Sequence, residues 1–390
     1  MDIPLYLVPL AAAAAVAAAG LPAAARLHRD ADTTDTPATE KESEVGVAVL
    51  GFPKSGKTAL LAAMYQTMSR AGGDGVTVRA SHPDHTDQLN DLAQRFEELN
   101  GVLPFPNTGT QLHPYPLAFD MPGAPLRFTY PDYSGELLRE SQRGSGLPEP
   151  LAESLDKADI VLGILDGAKL AAMMRDGPDD TALGEIRHLI GILDGRDQVI
   201  QLCVTKWDLL DADGHTLEEV ITWLRKRTNR FHNLRRTDRD SPVRVIPVSA
   251  FGLNSFMATE DGGSRVRRDP GLTWQPFQAA HPISCGINDI LTHNINRFQR
   301  QPQPIIPASA SPFLSRAMKL LGLVTVSTDV AGNVQFSLNM DALARLQTAV
   351  SAPLSPSNSS EEARALRLIL RHCRDLADDL DRTFPHARPR

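Results

Sequence analysis

Residues 45–65 read V-G-V-A-V-L-G-F-P-K-S-G-K-T-A-L-L-A-A-M-Y. The apolar start of this stretch is typical of a buried strand, and its last seven residues favour a helix. Between them, residues 51–58 form the pattern G-x-x-x-x-G-K-T. In a strand, loop and helix of this kind, the backbone N–H groups of the Gly-rich loop point together at phosphate oxygens. The sequence therefore predicts a loop that binds a nucleoside triphosphate, and a Gly-rich surface turn is the alternative.

The base of the nucleotide is predicted by residues 205–208, which read T-K-W-D. They follow the apolar run at residues 199–204, so they lie at the carboxyl end of a strand, where ligands bind in open α/β sheets. A carboxylate accepts hydrogen bonds from the N1–H and exocyclic amine of guanine, which adenine cannot match. We therefore expect Asp208 to bind the guanine edge beside Thr205, and the stem of Lys206 to cover one face of the base.

A second strand pattern supports guanine. Residues 245–250 read V-I-P-V-S-A, and we expect the backbone N–H groups of Ser249 and Ala250 to meet guanine O6. A P-loop ATPase or kinase is the alternative, and T-K-W-D disfavours it.

A switch segment is predicted between these motifs. Residues 126–130 alternate as a strand and lead into P-D-Y-S-G-E at residues 131–136, which contains the pattern D-x-x-G. After a strand, Asp132 is placed to hold Mg²⁺ through water, and the Gly135 N–H is placed to meet a γ-phosphate.

With these elements in this order, residues 45–300 resemble the translation-factor-related class of P-loop GTPases. Three features are similar to the bacterial double-GTPase family: the P-D-Y-S-G-E string, the Phe-Pro after the first loop glycine, and the long spacer before the switch. The resemblance implies a Ras-like P-loop NTPase fold, with GTP or GDP and Mg²⁺ as ligands. It also implies a hydrolytic switch in a signalling or conflict system, beside a partner GTPase or a GTPase-activating protein.

The resemblance also implies residue roles. Lys57 matches the lysine that neutralises the β- and γ-phosphates, and Thr58 matches the hydroxyl on Mg²⁺. The switch threonine should precede the strand predicted at residues 111–119, so Thr110 is expected to contact Mg²⁺ and γ-phosphate, with Thr108 as second choice. The other nucleotide contacts are expected from the loop itself: Gly51, Lys54, Ser55, Gly56 and Ala59.

One residue departs from the pattern of many small GTPases. Glu136 follows Gly135, where those proteins have a glutamine that orients water. A carboxylate beside a γ-phosphate is repelled, so we expect slow intrinsic hydrolysis, with Lys57, Thr110, Gly135 and Glu136 around the reacting group. Arg139, one helical turn further on, is a candidate internal arginine finger. A GTP-binding scaffold with little hydrolysis is the alternative.

The amino-terminal segment predicts a membrane anchor at residues 1–25. Residues 3–25 contain no charge, and as a helix they would reach roughly 35 Å, enough for a bilayer core of about 30 Å. Basic residues follow this run and none precedes it, which places the amino end outside and the GTPase domain in the cytoplasm. A cleaved signal peptide and a disordered Ala-rich leader are the alternatives. Residues 26–44 are predicted to be a flexible linker.

The remaining sequence predicts one large core with appendages. The chain has 390 residues and a net charge of −7, so no basic surface indicates nucleic acid. Its three cysteines are far apart and form no C-x-x-C pattern, which gives no sign of a disulfide framework or zinc site. Alternating strands and helices predict a doubly wound, mostly parallel α/β sheet with helices on both faces over residues 45–300. Within this domain, residues 215–231 are predicted to form one amphipathic helix. Residues 250–285 are predicted to be a long polar insertion ahead of a last helix from residue 287 to about residue 298.

A small α+β and helical appendage is predicted beyond residue 300. It comprises a Pro-rich linker at residues 301–311, a helix and hairpin at 312–350, and a linker at 351–360. An amphipathic helix is predicted at 361–384. Packing onto the GTPase domain is one interpretation of its apolar side, and a partner or self-association helix is the other.

Overall fold

The structure is a computed structural model. It describes residues 43–70, 75–98, 112–121, 123, 126–236, 241–253, 256–258, 266–268, 273–300, 317–318, 320, 324–328, 334–338 and 360–389. All of these residues belong to the compact unit Lys41–Arg390.

The described strands are β1 (Ser43–Val45), β2 (Val47–Gly51), β3 (Val78–Ala80), β4 (His113–Phe119), β5 (Leu126–Asp132), β6 (Ile160–Asp166), β7 (Val199–Thr205), β8 (Val243–Pro247), β9 (Phe256–Ala258), β10 (Val266–Arg268), β11 (Val324–Thr328) and β12 (Val334–Leu338). The described helices are α1 (Lys57–Ser69), α2 (Pro83–Glu97), α3 (Glu136–Glu140), α4 (Glu149–Asp156), α5 (Gly167–Asp176), α6 (Asp180–Leu193), α7 (Trp207–Ala212), α8 (Leu217–Arg227), α9 (Asn229–Leu234), α10 (His281–Arg300) and α11 (Glu361–Thr383).

Two four-stranded sheets form the core. In one, β2, β6, β7 and β8 pair in parallel in the order β2-β6-β7-β8. Every residue of β2, β7 and β8 is buried. Because successive residues of a strand point to opposite faces, this sheet is covered on both sides. The structure thus confirms the predicted doubly wound α/β fold.

The second sheet carries the switch strand. Its order is β1-β5-β4-β3, with β1 parallel to β5 and β4 antiparallel to both neighbours. The strand predicted at residues 45–50 is divided at Gly46 between the two sheets. The Gly46 N–H donates to the Asp159 carboxylate at 2.8 Å, and a Cβ at Gly46 would lie 2.3 Å from the Lys157 carbonyl oxygen. The close approach of the Lys157 carbonyl therefore requires glycine at this position.

Several boundaries differ from the sequence prediction. Ser43 and Glu44, predicted as linker, form β1 with Val45. Residues 215–231, predicted as one helix, form α8 and α9, because Thr228 is extended and the Arg187 guanidinium bonds the Arg227 carbonyl at 3.1–3.2 Å. A carbonyl bonded in this way no longer needs a helical N–H partner.

The segment before the last GTPase-domain helix also differs. We predicted residues 250–285 as a long polar insertion ahead of a helix starting at residue 287, but α10 begins at His281. Proline at the second position of α10 suits a first helical turn, where no internal partner is required for its nitrogen. Residues 273–280 pack against the domain, with Trp274 and Ala279 buried.

The C-terminal helix packs onto the GTPase domain. α11 lies against α10, and its buried Leu366, Ile369, Cys373 and Leu380 join the main core. A buried ionic group supports this packing: Arg244 of β8 makes two bonds to Asp289 of α10 at 2.9 and 3.0 Å, and another to Asp381 of α11. The docking interpretation of the amphipathic helix is confirmed.

The predicted C-terminal hairpin is also present, as β11 paired with β12 in antiparallel register. Other predictions lie outside the described residues: the anchor at 1–25, most of the linker at 26–44, the linker at 301–311, most of the helix before the hairpin, and the linker at 351–360 except Ser360. Within the described part of the chain, no helix has the length and apolar character needed to cross a membrane.

Candidate nucleotide-binding site

The Gly-rich loop joins β2 to α1 as predicted. Gly56 precedes the helix with a φ of 95°, a left-handed conformation that glycine adopts without strain. Lys54 also has a positive φ of 64°. Gly51 is needed for space, since a Cβ there would lie 2.6 Å from the Ser55 hydroxyl. The buried Ser55 hydroxyl has no hydrogen-bond partner among the described residues, as expected for a group that faces a polar ligand.

Lys57 lies folded against this loop. Its ammonium donates to the carbonyls of Gly51 and Phe52 at 2.9 and 3.2 Å and lies 5.1 Å from the centre of the Tyr133 ring. Burial lowers the pKa of Lys57 to about 8, although the carboxylates of Asp132 and Glu136 oppose the shift. An ammonium that is poorly solvated in this way gains strongly from an added anion.

Two oxygen ligands suited to Mg²⁺ meet beside the lysine. The Thr58 hydroxyl lies 3.0 Å from both carboxylate oxygens of Asp132, the last residue of β5. Burial raises the pKa of Asp132, and the Thr58 hydrogen bond and the Lys57 charge oppose this. A hydroxyl and a carboxylate are hard oxygen donors of the kind Mg²⁺ prefers, so this pair fits the ion. Thr110 and Thr108, the other predicted ligands, lie outside the described residues.

The switch segment rests directly on the loop. Gly135 lies so close to it that a Cβ there would be 2.2 Å from the Pro53 nitrogen. The Gly51 N–H donates to the Tyr133 hydroxyl at 3.3 Å. The D-x-x-G segment and the phosphate loop therefore form one packed unit.

Glu136 and Arg139 are paired with each other. Their side chains meet at 2.9 Å, and Arg139 also contacts Glu185 of α6 at 3.3 Å. The Glu185 side chain is 7% exposed and is also bonded by Lys169. Arg139, a candidate finger, is thus held by two carboxylates.

The predicted base-reading residues come together at the carboxyl ends of β7 and β8. The Ser249 hydroxyl donates to the Asp208 carboxylate at 2.6 Å. Burial raises the pKa of Asp208, and this hydrogen bond opposes the shift.

Lys206 has a positive φ of 52° and pairs with Asp166 at 2.8 Å. The Thr205 hydroxyl bonds the Ser55 carbonyl at 2.6 Å and thereby joins the base loop to the phosphate loop.

One predicted donor is engaged elsewhere. The Ser249 N–H donates to the Phe277 carbonyl at 3.1 Å, so Ser249 contributes its hydroxyl rather than its backbone to the site. The Ala250 carbonyl accepts from the Trp274 indole at 2.7 Å. Of the predicted pair, Ala250 is the residue left to offer its N–H to a ligand. Ala59, in the first turn of α1, lies beside Thr58 at the phosphate end.

Sequence reasoning missed five supporting residues: Tyr133, Asp166, Glu185, Trp274 and Phe277. Asp166 carried a readable signal, because it caps α5 by accepting from the Ala168 N–H at 3.0 Å, and aspartate before a helix is a common cap. Trp274 was also readable, since an aromatic residue in a polar segment commonly packs into a core. The contacts of the other three depend on tertiary packing.

Taken together, the site lies along one edge of the two sheets. Gly51, Asp132, Asp166 and Thr205 are the last residues of β2, β5, β6 and β7. This is the edge at which an α/β fold binds ligands. The fold and the site define a P-loop domain arranged for a guanine nucleotide.

The family comparison agrees with this class. Residues 48–172, from β2 through most of α5, match the sequence model of the family described as Double-GTPase 1. The match confirms the resemblance to the double-GTPase family and includes the phosphate loop and the D-x-x-G segment. The base-reading residues lie beyond it. The search of curated proteins found no match.

Three solved structures are similar in part. The S. cerevisiae Ski7 GTPase-like domain bound to GTP is 15% identical with a TM-score of 0.37, and the alignment covers 60% of this chain and 48% of that one. The chain thus spans about half the length of that protein. S. thermophilus NFeoB bound to GDP and AlF4− is 11% identical, with a TM-score of 0.30 and coverage of 86% and 92%.

The third is Methanosarcina barkeri Roco2 RocCORdC bound to GDP, which is 11% identical with a TM-score of 0.25 and coverage of 88% and 91%.

Proposed function

We propose that this chain is a GTP-binding switch that hydrolyses GTP to GDP and phosphate slowly on its own. The observation that carries the proposal is the Thr205 hydrogen bond to the Ser55 carbonyl. It fixes the Asp208 and Ser249 pair at a set position relative to the phosphate loop. A guanine-nucleotide site requires a carboxylate that binds the guanine base and a loop that binds the phosphates. The hydrogen bond joins these two parts.

The chain's own residues bind and orient the nucleotide. Lys57 exchanges its loop carbonyls for β- and γ-phosphate oxygens, and the loop N–H groups complete the phosphate cradle. Thr58 and Asp132 would hold Mg²⁺, which would supply positive charge to neutralise the transferred phosphoryl group. Asp208 accepts from the guanine N1–H and amine, and the Ala250 N–H donates to O6. We also propose Thr110 as the switch ligand, on the sequence argument alone.

Slow hydrolysis follows from the charge at Glu136. In the structure this carboxylate is neutralised in part by Arg139, which Glu185 also binds. A γ-phosphate placed near Glu136 is repelled, and Arg139 can approach it only by leaving both carboxylates. A regulator or paired GTPase that supplies an arginine would raise the rate by about 10³–10⁵, the general value of such a finger.

We expect Glu136→Gln to raise intrinsic GTP hydrolysis by about tenfold, which corresponds to about 1.4 kcal/mol off the barrier. The amide removes the repelling charge, can orient water, and frees Arg139 from one partner. Phosphate release under multiple turnover, with Mg²⁺ and saturating GTP, measures the effect.

Glu140→Gln is the matched control, because Glu140 is an exposed glutamate on the same helix, and its rate should stay at the wild-type value.

Rapid turnover by the purified wild-type chain that is unaffected by Arg139→Ala would contradict the proposal. If wild type and Glu136→Gln both bind GTP but neither releases phosphate, even with proteins encoded nearby, the chain is a GTP-binding scaffold. Tighter binding of ATP than GTP would instead favour a P-loop ATPase.

We further propose that the protein is tethered to a membrane by residues 1–25, with the GTPase domain in the cytoplasm. The support is the uncharged run at residues 3–25, followed by basic residues. A role in bacterial signalling or conflict, beside a partner GTPase, is proposed from the family resemblance.

We expect the full chain to sediment with membranes after lysis, and a chain lacking residues 1–25 to be soluble and still bind GTP. Fractionation with and without detergent checks this. Recovery of the full chain in the soluble fraction without detergent would contradict the tether. A mature chain beginning near residue 26 outside the cytoplasm would identify a signal peptide instead.

A further inference from the structure

The end of α11 lies behind the base-reading loops. The ring of Phe384 packs edge-to-face against Trp207, with centroids 6.3 Å apart and planes at 85°. It packs in the same way against Phe277, at 6.2 Å and 77°. Edge-to-face pairs at such distances are attractive and directional, so Phe384 restrains both rings.

Each of these rings is coupled to a base-reading group. Trp207 immediately precedes Asp208 in the chain, and it is buried. Phe277 exchanges two backbone hydrogen bonds with Ser249, at 2.8 and 3.1 Å. Phe384 therefore contacts the residue that precedes Asp208 and the residue whose backbone is hydrogen-bonded to Ser249.

The segment that carries Phe384 is itself held in place. The Phe384 N–H donates to the Leu380 carbonyl at 2.7 Å, which continues the hydrogen bonding of α11. Arg235, the residue that follows α9, donates to the His386 carbonyl at 3.2 Å and to the Arg388 carbonyl at 2.9 Å. One turn before Phe384, Asp381 is bonded by Arg244. The contacts of Arg235 and Arg244 come from two other parts of the domain, so the segment that carries the ring has a defined position.

We propose that Phe384 is a positioning residue for guanine recognition, through which the C-terminal helix sets the base specificity of the site. This inference rests on the proposed binding of guanine nucleotides. Loss of the ring opens a gap beside Trp207 and Phe277, and both loops gain freedom to move apart. A hydrogen-bonded constellation loses effect when its members shift by about 1 Å.

Two consequences distinguish this role from a general loosening of the fold. GTP and GDP carry the same base, so removing the ring weakens both by the same factor and leaves their ratio unchanged. Coupling between two sites is also reciprocal, so any guanine nucleotide stabilises the docked C-terminal segment, whether or not a γ-phosphate is present.

The test is the preference of the full-length chain for GDP over ADP, measured by calorimetric titration for wild type and Phe384→Ala. We expect Phe384→Ala to weaken GDP and GTP about tenfold, with ADP unchanged, so the GDP preference falls by about tenfold. Phe384→Tyr keeps the ring and should restore the preference.

Leu366→Ala is the matched control. Leu366 is buried on the same helix but lies roughly 27 Å before Phe384, at about 1.5 Å per residue. It should lower the melting temperature without changing the GDP preference. An unchanged preference in folded Phe384→Ala, or an equal loss in Leu366→Ala, would overturn the proposal.

A second measurement covers the case in which Phe384→Ala does not fold. In the wild-type chain, GDP and GTP should slow amide hydrogen exchange at residues 380–389 equally, relative to nucleotide-free protein. Unchanged exchange in that segment, with the nucleotide bound, overturns the role of Phe384 and leaves the guanine site standing. Equal binding of ADP and GDP by wild type would overturn the guanine assignment and this inference together.

Discussion

Lys57→Ala is expected to reduce GTP affinity by at least about a hundredfold while leaving the protein folded. Charge-assisted hydrogen bonds contribute about 1.5–3 kcal/mol each, and in the proposed complex the ammonium bonds both the β- and the γ-phosphate. Burial lowers the pKa of Lys57 to about 8, which means that its charge is poorly solvated when no phosphate is present. Its removal should therefore cost little stability, and loss of binding can be separated from loss of fold.

Titration with GTP and a thermal melt on the same sample measure both effects. Lys157→Ala is the control, because Lys157 is an exposed lysine paired with Glu153 and lies before β6, at the opposite edge of the sheet. The Lys157→Ala protein should bind GTP with wild-type affinity. Near-normal GTP affinity in folded Lys57→Ala protein would contradict the assignment of the phosphate loop.

Asp208→Asn is expected to exchange guanine for xanthine specificity. Xanthine has a carbonyl where guanine has its exocyclic amine, so an amide can donate where the carboxylate could only accept. When the base does not match the side chain at position 208, buried polar groups lack hydrogen-bond partners, at a cost of about 1–3 kcal/mol each. Two such groups correspond to a shift in base preference on the order of a thousandfold. The Ser249 hydroxyl, 2.6 Å from Asp208, can still donate to the amide oxygen.

Competition between GTP and xanthosine triphosphate for the purified variant measures this preference. Asp211→Asn serves as the control, since Asp211 is exposed on the same short helix, α7. If Asp208→Asn keeps the wild-type preference for guanine, Asp208 does not bind the base. Residues 205–208 then do not belong to the nucleotide-binding site.

Much of the site could be predicted because its signals are local. The phosphate loop needs a strand, two glycines and a helix in immediate succession, and all of them lie within residues 45–65. The same holds for Asp132 and Asp208, because each lies within a few residues of the end of a strand pattern, alternating for Asp132 and apolar for Asp208. Thr110 and the membrane anchor remain predictions, because both lie outside the described residues.

The rest depended on contacts between distant parts of the chain. The break between α8 and α9 involves Arg187, which bonds a carbonyl 40 positions away in sequence. The pairing of Arg139 with Glu185 likewise joins α3 to α6 across 46 positions. The periodicity of apolar residues predicts which side of a helix is buried, but it does not predict which element covers that side. The packing of α11 onto the GTPase domain was therefore one of two alternatives.

The contact between Gly135 and Pro53 has a consequence for mutagenesis. It is made by main-chain atoms on both sides, and Pro53 has no N–H that requires a partner there. Substitution by alanine deletes side-chain atoms, so Pro53→Ala would leave this main-chain contact in place. Only Gly135→Ala would disturb it, because alanine adds an atom there. Any displacement of the D-x-x-G segment reaches the phosphate loop through the backbone itself, a route that side-chain truncation cannot interrupt.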